Sequence, residues 1–411
     1  MTIFGIIWVV LIVIFMFKDI KYLFVLTILS SIFQCNNVIA IQNVGIGPQI
    51  ITSIALIIKV FILRKFDFKV KINKKMLALN ISLTLLLVVA FLSLVLNNNL
   101  RIVGLRYIQL ISYFLCFIAM SKIGEYIEEE FVYKLIRYTT IFLISEGFLQ
   151  ILITSGIFPR LKIINILFYN DTISNVIYFT RNHYFRILST YMEPSYYAGF
   201  IVGAFYYFII KKDKIKQNKI LIWLILLQII LTFSSTAYIT FTVLGLIYLI
   251  RERSIKNKIF TIIIAILIGT VMYIGFYNVL DDVIFSKAQS GSANARFAWN
   301  KKAIRMFNEN KIIGNGYKTV RASSVVYTIL AEMGVIGLIS YCLVNFIIIK
   351  DIFFKKEIST QELGIRFAIC GVCISQVIAV PDIDICTYWM WMNLLAVLMS
   401  RRRKEEYEQI K

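Results

Sequence analysis

"MLALNISLTLLLVVAFLSLVL", residues 76 to 96, runs for 21 residues without one charged side chain. At a rise of about 1.5 Å per residue, such a helix spans the roughly 30 Å hydrocarbon core of a bilayer. A basic cluster from Arg64 to Lys75 precedes it, and a short connection at 97–101 follows. Read outward from this segment, the chain repeats the same plan: apolar runs at 2–17, 22–41, 49–63, 76–96, 102–120, 135–157, 194–210, 220–233, 236–250, 259–277, 324–349, 364–380 and 387–400. These predict an all-α polytopic transmembrane bundle of about 12–13 helices, a single membrane domain over residues 1–411.

Composition supports this reading. Of 411 residues, 59% are hydrophobic and 16% charged, with a mean hydropathy of +0.78, far from the balance of a water-soluble globular domain. The formal charge of +21 raises nucleic acid as a partner, but Lys and Arg gather in short clusters between apolar runs, the habit of membrane-protein loops. No nucleic-acid role is expected. The six cysteines all lie within or beside apolar segments and define no disulfide framework, and Cys370 and Cys373 fall within one helix as packing residues. Thr2 to Phe17 has no basic residue ahead of it and no small-residue cleavage site, so it reads as a retained helix.

Orientation follows from the basic clusters. Arg64 to Lys75, Lys211 to Lys219, Arg251 to Lys258, Lys350 to Lys356 and Arg401 to Lys404 all fall on one face if helices alternate, and that face is expected to be cytoplasmic, the C-terminus included. Two long segments then lie outside, 158–193 and 278–323. The second carries eight cations, Lys287, Arg296, Lys301, Lys302, Arg305, Lys311, Lys318 and Arg321, against Asp281, Asp282 and Glu309. Either lipid headgroups or an anionic partner accounts for this excess. Within it, Arg296 to Phe307 forms a short interfacial helix: Phe297, Trp299, Ala303, Ile304, Met306 and Phe307 share one half of the wheel and Lys301, Lys302 and Arg305 the other. Arg296 falls on the apolar half, where a guanidinium needs an anion.

Arginine suits phosphate, because its planar fork donates two parallel hydrogen bonds and stays charged. Arg181, Arg186, Arg296, Arg305 and Arg321 are the external candidates, joined by Arg101 and Arg106 at the outer end of the helix from 102. Glu193 precedes Pro194, a pair that starts a helix at the proline and leaves the carboxylate at its N-terminus. Two roles fit it: a cap on the helix dipole, or a base and hydroxyl acceptor at the rim of a cavity. His183, the single histidine, fits proton transfer or an incidental loop position. Asp382-Ile-Asp384 fits a cation site or a capped turn, and no metal is expected.

Two stretches carry a family resemblance. "RILSTYMEPSYYAGF", residues 186–200, and "NARFAWNKKAIRMFNENKIIGNGY", residues 294–317, followed by "YTILAEMGVIGL", resemble the bacterial Wzy-type O-antigen and capsule polymerases of the O-antigen polymerase and ligase superfamily. The matching positions are Arg186, Glu193 and Pro194, then Arg296, Trp299, Gly314, Gly316, Glu332, Gly334 and Gly337. The resemblance implies a GT-C-like membrane glycosyltransferase in the bacterial cytoplasmic membrane. It joins undecaprenyl pyrophosphate-linked glycans, donor and acceptor alike, at the outer face into capsule, exopolysaccharide or O-antigen, with no metal and no cofactor. A chain-length regulator and a flippase are the implied partners beside membrane lipids. Arg186, Arg296 and Glu193 would be catalytic, with Arg106, Arg181, His183, Arg305, Arg321 and Glu332 binding substrate. Close helix packing explains Gly334 and Gly337 equally well. The ligase branch carries a histidine where this chain has Arg321-Ala-Ser-Ser324, which favours polymerase over ligase. A flippase or transporter is the rival from another class.

Overall fold

The computed structural model describes residues 2–41, 44–63, 74–157, 180–181, 184–252, 291–354 and 358–408, with a few positions between 255 and 266. Thirteen α-helices occupy them: α1 (Ile3–Met16), α2 (Ile20–Ser30), α3 (Pro48–Leu63), α4 (Lys74–Leu96), α5 (Leu100–Ile123), α6 (Glu129–Thr154), α7 (Pro194–Ile210), α8 (Ile215–Leu231), α9 (Ser235–Arg251), α10 (Gly291–Glu309), α11 (Val325–Phe354), α12 (Thr360–Ile378) and α13 (Cys386–Glu408). In α4, α5, α6, α11 and α12 the apolar stretch is long enough to cross a membrane, and five shorter apolar helices stand beside them. The architecture is all-α and polytopic. The expected helix 259–277 falls mostly outside the described residues, as do 158–179 and His183.

One expected helix is corrected. The apolar run 22–41 is not continuous helix: α2 stops at Ser30, and Ile39–Ile41 (β1) pairs antiparallel with Val44–Ile46 (β2), Ile39 opposite Ile46. The local cause is side-chain competition. The hydroxyls of Ser30 and Ser31 both donate to the Thr27 carbonyl, at 2.7 and 3.2 Å, and the Val38 N–H goes to the Ile46 carbonyl at 2.8 Å instead of up a helix. Pro48, with no N–H to satisfy, then opens α3.

The centre of the bundle is α7. Every residue from Pro194 to Ile210 except Tyr196 is buried, so this helix is apolar on all sides because protein surrounds it, not lipid. Its main neighbour is α12. A side chain at Gly203 would place its Cβ 3.0 Å from the Ala368 Cα, so the glycine allows the two backbones to approach closely, the contact on which helix association in lipid depends.

Chain alternation separates two polar ends. At one, Arg366 of α12 is buried with its Nη2 2.7 Å from Glu362 Oε1 and 3.2 Å from Asp351 Oδ2, while Nη1 donates to the Ile348 carbonyl at 2.7 Å. Lys75, at the start of α4, closes the group on Asp351 at 2.7 Å. Two cations meet two anions, and α4, α11 and α12 are tied together. At the other end lie the tops of α5, α7 and α13 and the loops that connect them.

Candidate functional site

The stretch 186–193 enters the bundle as non-helical chain. Ile187 to Tyr191 are fully buried, which demands that each backbone polar group find a partner inside the protein. Gln150 of α6 satisfies three of them: its Oε1 accepts from the N–H of Ser189 at 3.0 Å and of Leu188 at 3.4 Å, and its Nε2 donates to the Ser189 carbonyl at 2.8 Å. Ser189 holds a left-handed φ of 51° there, with its hydroxyl on the Leu143 carbonyl at 2.9 Å. Thr190 reaches the Ile32 carbonyl at 2.6 Å. Arg186 Nε donates to the Thr232 carbonyl at 3.2 Å, which ties the start of the segment to the end of α8.

This clamp delivers Glu193 to the mouth of α7. The backbone there is extended, Pro194 is the first helical residue, and the Glu193 side chain makes no capping bond to the helix. Its Oε2 accepts from the Ser195 hydroxyl at 3.2 Å, and the carboxylate lines a cavity. Of the two roles the sequence left open, the capping bond is not made.

A second device builds the facing wall. α11 breaks at Gly334, where φ is 64° and ψ −163°, and the break releases carbonyls and N–H groups that the preceding loop takes up. The N–H of Asn315 donates to the Ala331 carbonyl at 2.9 Å, Gly316 to Glu332 at 3.0 Å, and Val335 back to Lys311 at 2.9 Å. The two backbones lie so close that a Cβ on Gly334 would sit 2.2 Å from the Ile312 carbonyl oxygen, and one on Gly314, at φ 77°, 2.3 Å from the Glu332 carbonyl carbon. Positive φ and missing Cβ are both required here. The end of α4 holds the loop from the other side: Asn97 Nδ2 donates to the Gly314 carbonyl at 3.0 Å, Asn99 Nδ2 to Asn315 at 3.0 Å, and Ser93 Oγ accepts from the Tyr317 N–H at 3.1 Å. Glu332 is buried, with Oε1 3.4 Å from the Val320 N–H, so it holds the 318–321 loop and does not line the cavity.

The cavity between these walls has a volume of 710 Å³. Arg106 and Gln109 enter it from α5, Glu193 and Tyr196 from the mouth of α7, Lys318 and Arg321 from the loop, and Asp382 and Asp384 from the turn before α13. Lys318 Nζ is bonded to Asp382 and lies 2.7 Å from Asp384, and the Tyr196 hydroxyl donates to the other Asp382 oxygen at 3.1 Å. Burial alone would discharge Lys318, but Asp384, Asp382 and Glu332 outweigh it and hold the ammonium above its usual range. Burial likewise opposes the charge on Asp382, and Lys318, the Tyr196 hydroxyl and Arg321 together bring that carboxyl below its usual range. Arg321 is exposed and lies over the Trp299 ring, 5.0 Å from its centroid, while Asn300 Oδ1 holds Ser323 at 3.0 Å and so fixes the loop against α10. Among the described residues Arg106 reaches only Gln109, at 3.4 Å. Among the described residues no carboxylate lies within ion-pair distance of Arg106 or Arg321, and no cation within that distance of Glu193.

The structure therefore brings together Glu193, Arg106 and Arg321 of the expected residues. Arg186 and Arg296 are not among those lining the cavity. Arg296 is half-buried near the start of α10 and Arg305 is exposed on it. Arg181 is described only through its backbone, in a two-residue strand (Thr180–Arg181, β3) paired with Tyr184–Phe185 (β4). A helix covers Arg296 to Phe307 as expected, within the longer α10, but its apolar half divides: Ala303 and Met306 pack on Val320, Ala322 and Ala331, whereas Phe297, Trp299 and Ile304 stay exposed. Lys318 and Tyr196 were missed as site residues. Lys318 was counted only as one of eight loop cations. The cation that the Asp382–Asp384 pair holds is Lys318, 64 residues away in sequence.

Residues 220–342, from α8 into α11, match the family model described as O-antigen ligase, which supports the O-antigen polymerase and ligase superfamily. That span includes α10, the 310–324 loop and Glu332, and leaves Glu193, Asp382 and Asp384 outside it. No curated protein and no solved structure matches the chain.

Proposed function

We propose, from a chain with the O-antigen ligase family match and a polytopic membrane fold, that this protein polymerises undecaprenyl pyrophosphate-linked repeat units at the outer face of a bacterial cytoplasmic membrane. The match supports a glycan-processing enzyme of the polymerase and ligase type acting on lipid-linked glycans. The observation that carries the finer reading is the cavity in which Arg106 and Arg321 have no carboxylate partner among the described residues and stand with Glu193, at the end of the bundle opposite the Lys75–Arg366 cluster.

The chemistry follows from those charges. A sugar hydroxyl of the acceptor attacks the anomeric carbon of the donor, the bond from that carbon to the pyrophosphate oxygen breaks, and the lipid pyrophosphate leaves with the electron pair. Glu193 takes the hydroxyl proton. Arg106 and Arg321 stabilise the charge gathering on the leaving oxygen, in a preformed site where fixed donors are effective. Arg186 acts through the chain, holding the buried segment that aims Glu193. Arg321-Ala-Ser-Ser324, where the ligase branch carries a histidine, favours polymerase over ligase.

Purified protein given a defined lipid-linked repeat unit tests this. A ladder of longer glycans with release of lipid pyrophosphate is expected. Transfer to a different acceptor with no ladder supports the ligase alternative, and substrate that crosses a vesicle bilayer without changing in length overturns the enzyme reading in favour of a flippase.

A further inference from the structure

We infer that Lys318 is a shared cation, exchanged between Asp382 and the pyrophosphate of the donor, and that Asp382 with the Tyr196 hydroxyl forms an acceptor-hydroxyl subsite that opens when the donor takes Lys318. This rests on the glycan-transfer reading above and adds an order to it, donor first.

The arrangement is asymmetric in the way an exchange requires. Lys318 touches two aspartates, but the Asp384 side chain is 6% exposed and that of Asp382 32%, with Lys318 itself at 20%. A ligand entering the cavity therefore meets the Lys318–Asp382 pair first, while Asp384 stays behind it as the fixed anchor. An ammonium has three donors on a flexible stem, so it can keep Asp384 and exchange Asp382 for a phosphate oxygen, which the rigid fork of an arginine does less readily. The Lys318–Asp382 pair reaches the cavity, so a multiply charged anion can compete for the ammonium there. Arg106 and Arg321, lining the same cavity, draw that anion in.

Both backbones are already held, so only side chains need to move. Lys318 sits at φ 60° directly after Tyr317, whose N–H is fixed by Ser93, and the Asp382 carbonyl accepts from Gln376 Nε2 at 2.7 Å. The second Asp382 oxygen is kept in place by Tyr196. Once Lys318 leaves, the first oxygen faces the cavity as an acceptor with no donor, suited to a sugar hydroxyl. Without a donor the carboxylate is occupied by Lys318, and an acceptor finds no partner there.

The test measures binding of inorganic pyrophosphate to the purified full-length protein by calorimetry, together with transfer on the lipid-linked repeat unit. Asp382→Asn is expected to bind pyrophosphate roughly fivefold tighter, because Lys318 is released to it. The same variant should transfer roughly 10- to 100-fold more slowly, because the hydroxyl loses a charged acceptor. Lys318→Gln should bind pyrophosphate roughly fivefold more weakly, and in that background most of the gain from Asp382→Asn should vanish. A purely structural Asp382 would lower both readouts together. The exchange is overturned if Asp382→Asn binds no tighter than wild type, if its gain survives intact without Lys318, or if Lys318→Gln, which stands in should Asp382→Asn fail to fold, binds as wild type does. Wild type that binds no pyrophosphate overturns the transfer reading as well, whereas normal binding by wild type with unmoved variants overturns the exchange alone.

Discussion

The two polar ends of this bundle contain the same kinds of side chain and use them differently. Around Arg366, three contacts of 2.7 to 3.2 Å chain Lys75, Asp351, Arg366 and Glu362 together, with Arg366, Asp351 and Glu362 almost wholly buried. Around Lys318, the ion pairs are more open, and Arg106, Arg321 and Glu193 add charges that lie outside ion-pair distance of any opposite charge among the described residues. A charge set that closes on itself ties helices together. One left open at a cavity holds its charges ready for a ligand, and that difference separates the two clusters where residue type alone does not.

Mutations should divide along the same line. The largest effect on stability is expected at the closed cluster: Arg366→Ala takes the buried cation from Glu362 and leaves Asp351 with Lys75 alone, and should cost about 3–5 kcal/mol, read as unfolding in detergent or failure to accumulate. Gly334→Ala comes next. It forces a side chain into a left-handed position 2.2 Å from the Ile312 oxygen, which should cost about 3 kcal/mol and free the 310–324 loop to proteolysis. Gln150→Leu leaves the N–H groups of Leu188 and Ser189 unsatisfied and should cost about 2 kcal/mol by thermal unfolding, with transfer falling as Glu193 loses its support.

The smallest effect is one of pH. Asp382 is held below its usual range, so its contribution to stability is complete above about pH 4 and fades as pH falls through its folded value. Lys318 is held above its usual range, so its contribution is complete below about pH 10 and fades as pH rises through its folded value. The loss of stability as pH falls below about 4 should therefore be smaller in Asp382→Asn than in wild type, and an equal acid loss in the two would contradict the assignment.

The helices were legible because an apolar run long enough for a bilayer has few other uses, and α7 began at Pro194 as the Glu-Pro pair dictates. The run 22–41 was misread because apolar content is shared by a helix and a buried hairpin, and the serine hydroxyls that end α2 carry little hydropathy signal. Glu193, Arg106 and Arg321, singled out by charge at the ends of apolar runs, line one cavity. Lys318 was not singled out, since its meaning lies in Asp382 and Asp384, which only the folded chain brings beside it. The glycine motifs were visible, but their purpose, a splice between a loop and a broken helix, depends on backbone atoms that sequence patterns do not display. Arg186 and Arg296 looked equivalent to Arg321 because charge and side of the membrane are all that a sequence reports for them.

The central claim, that the open charges of the cavity carry the transfer, is tested most directly by Arg321→Ala. Arg321 is exposed and stacked on Trp299, so thermal stability should stay within about 0.5 kcal/mol of wild type. The glycan ladder from a lipid-linked repeat unit should fall by about 100-fold or more. A full-length ladder from a folded Arg321→Ala protein would contradict the account.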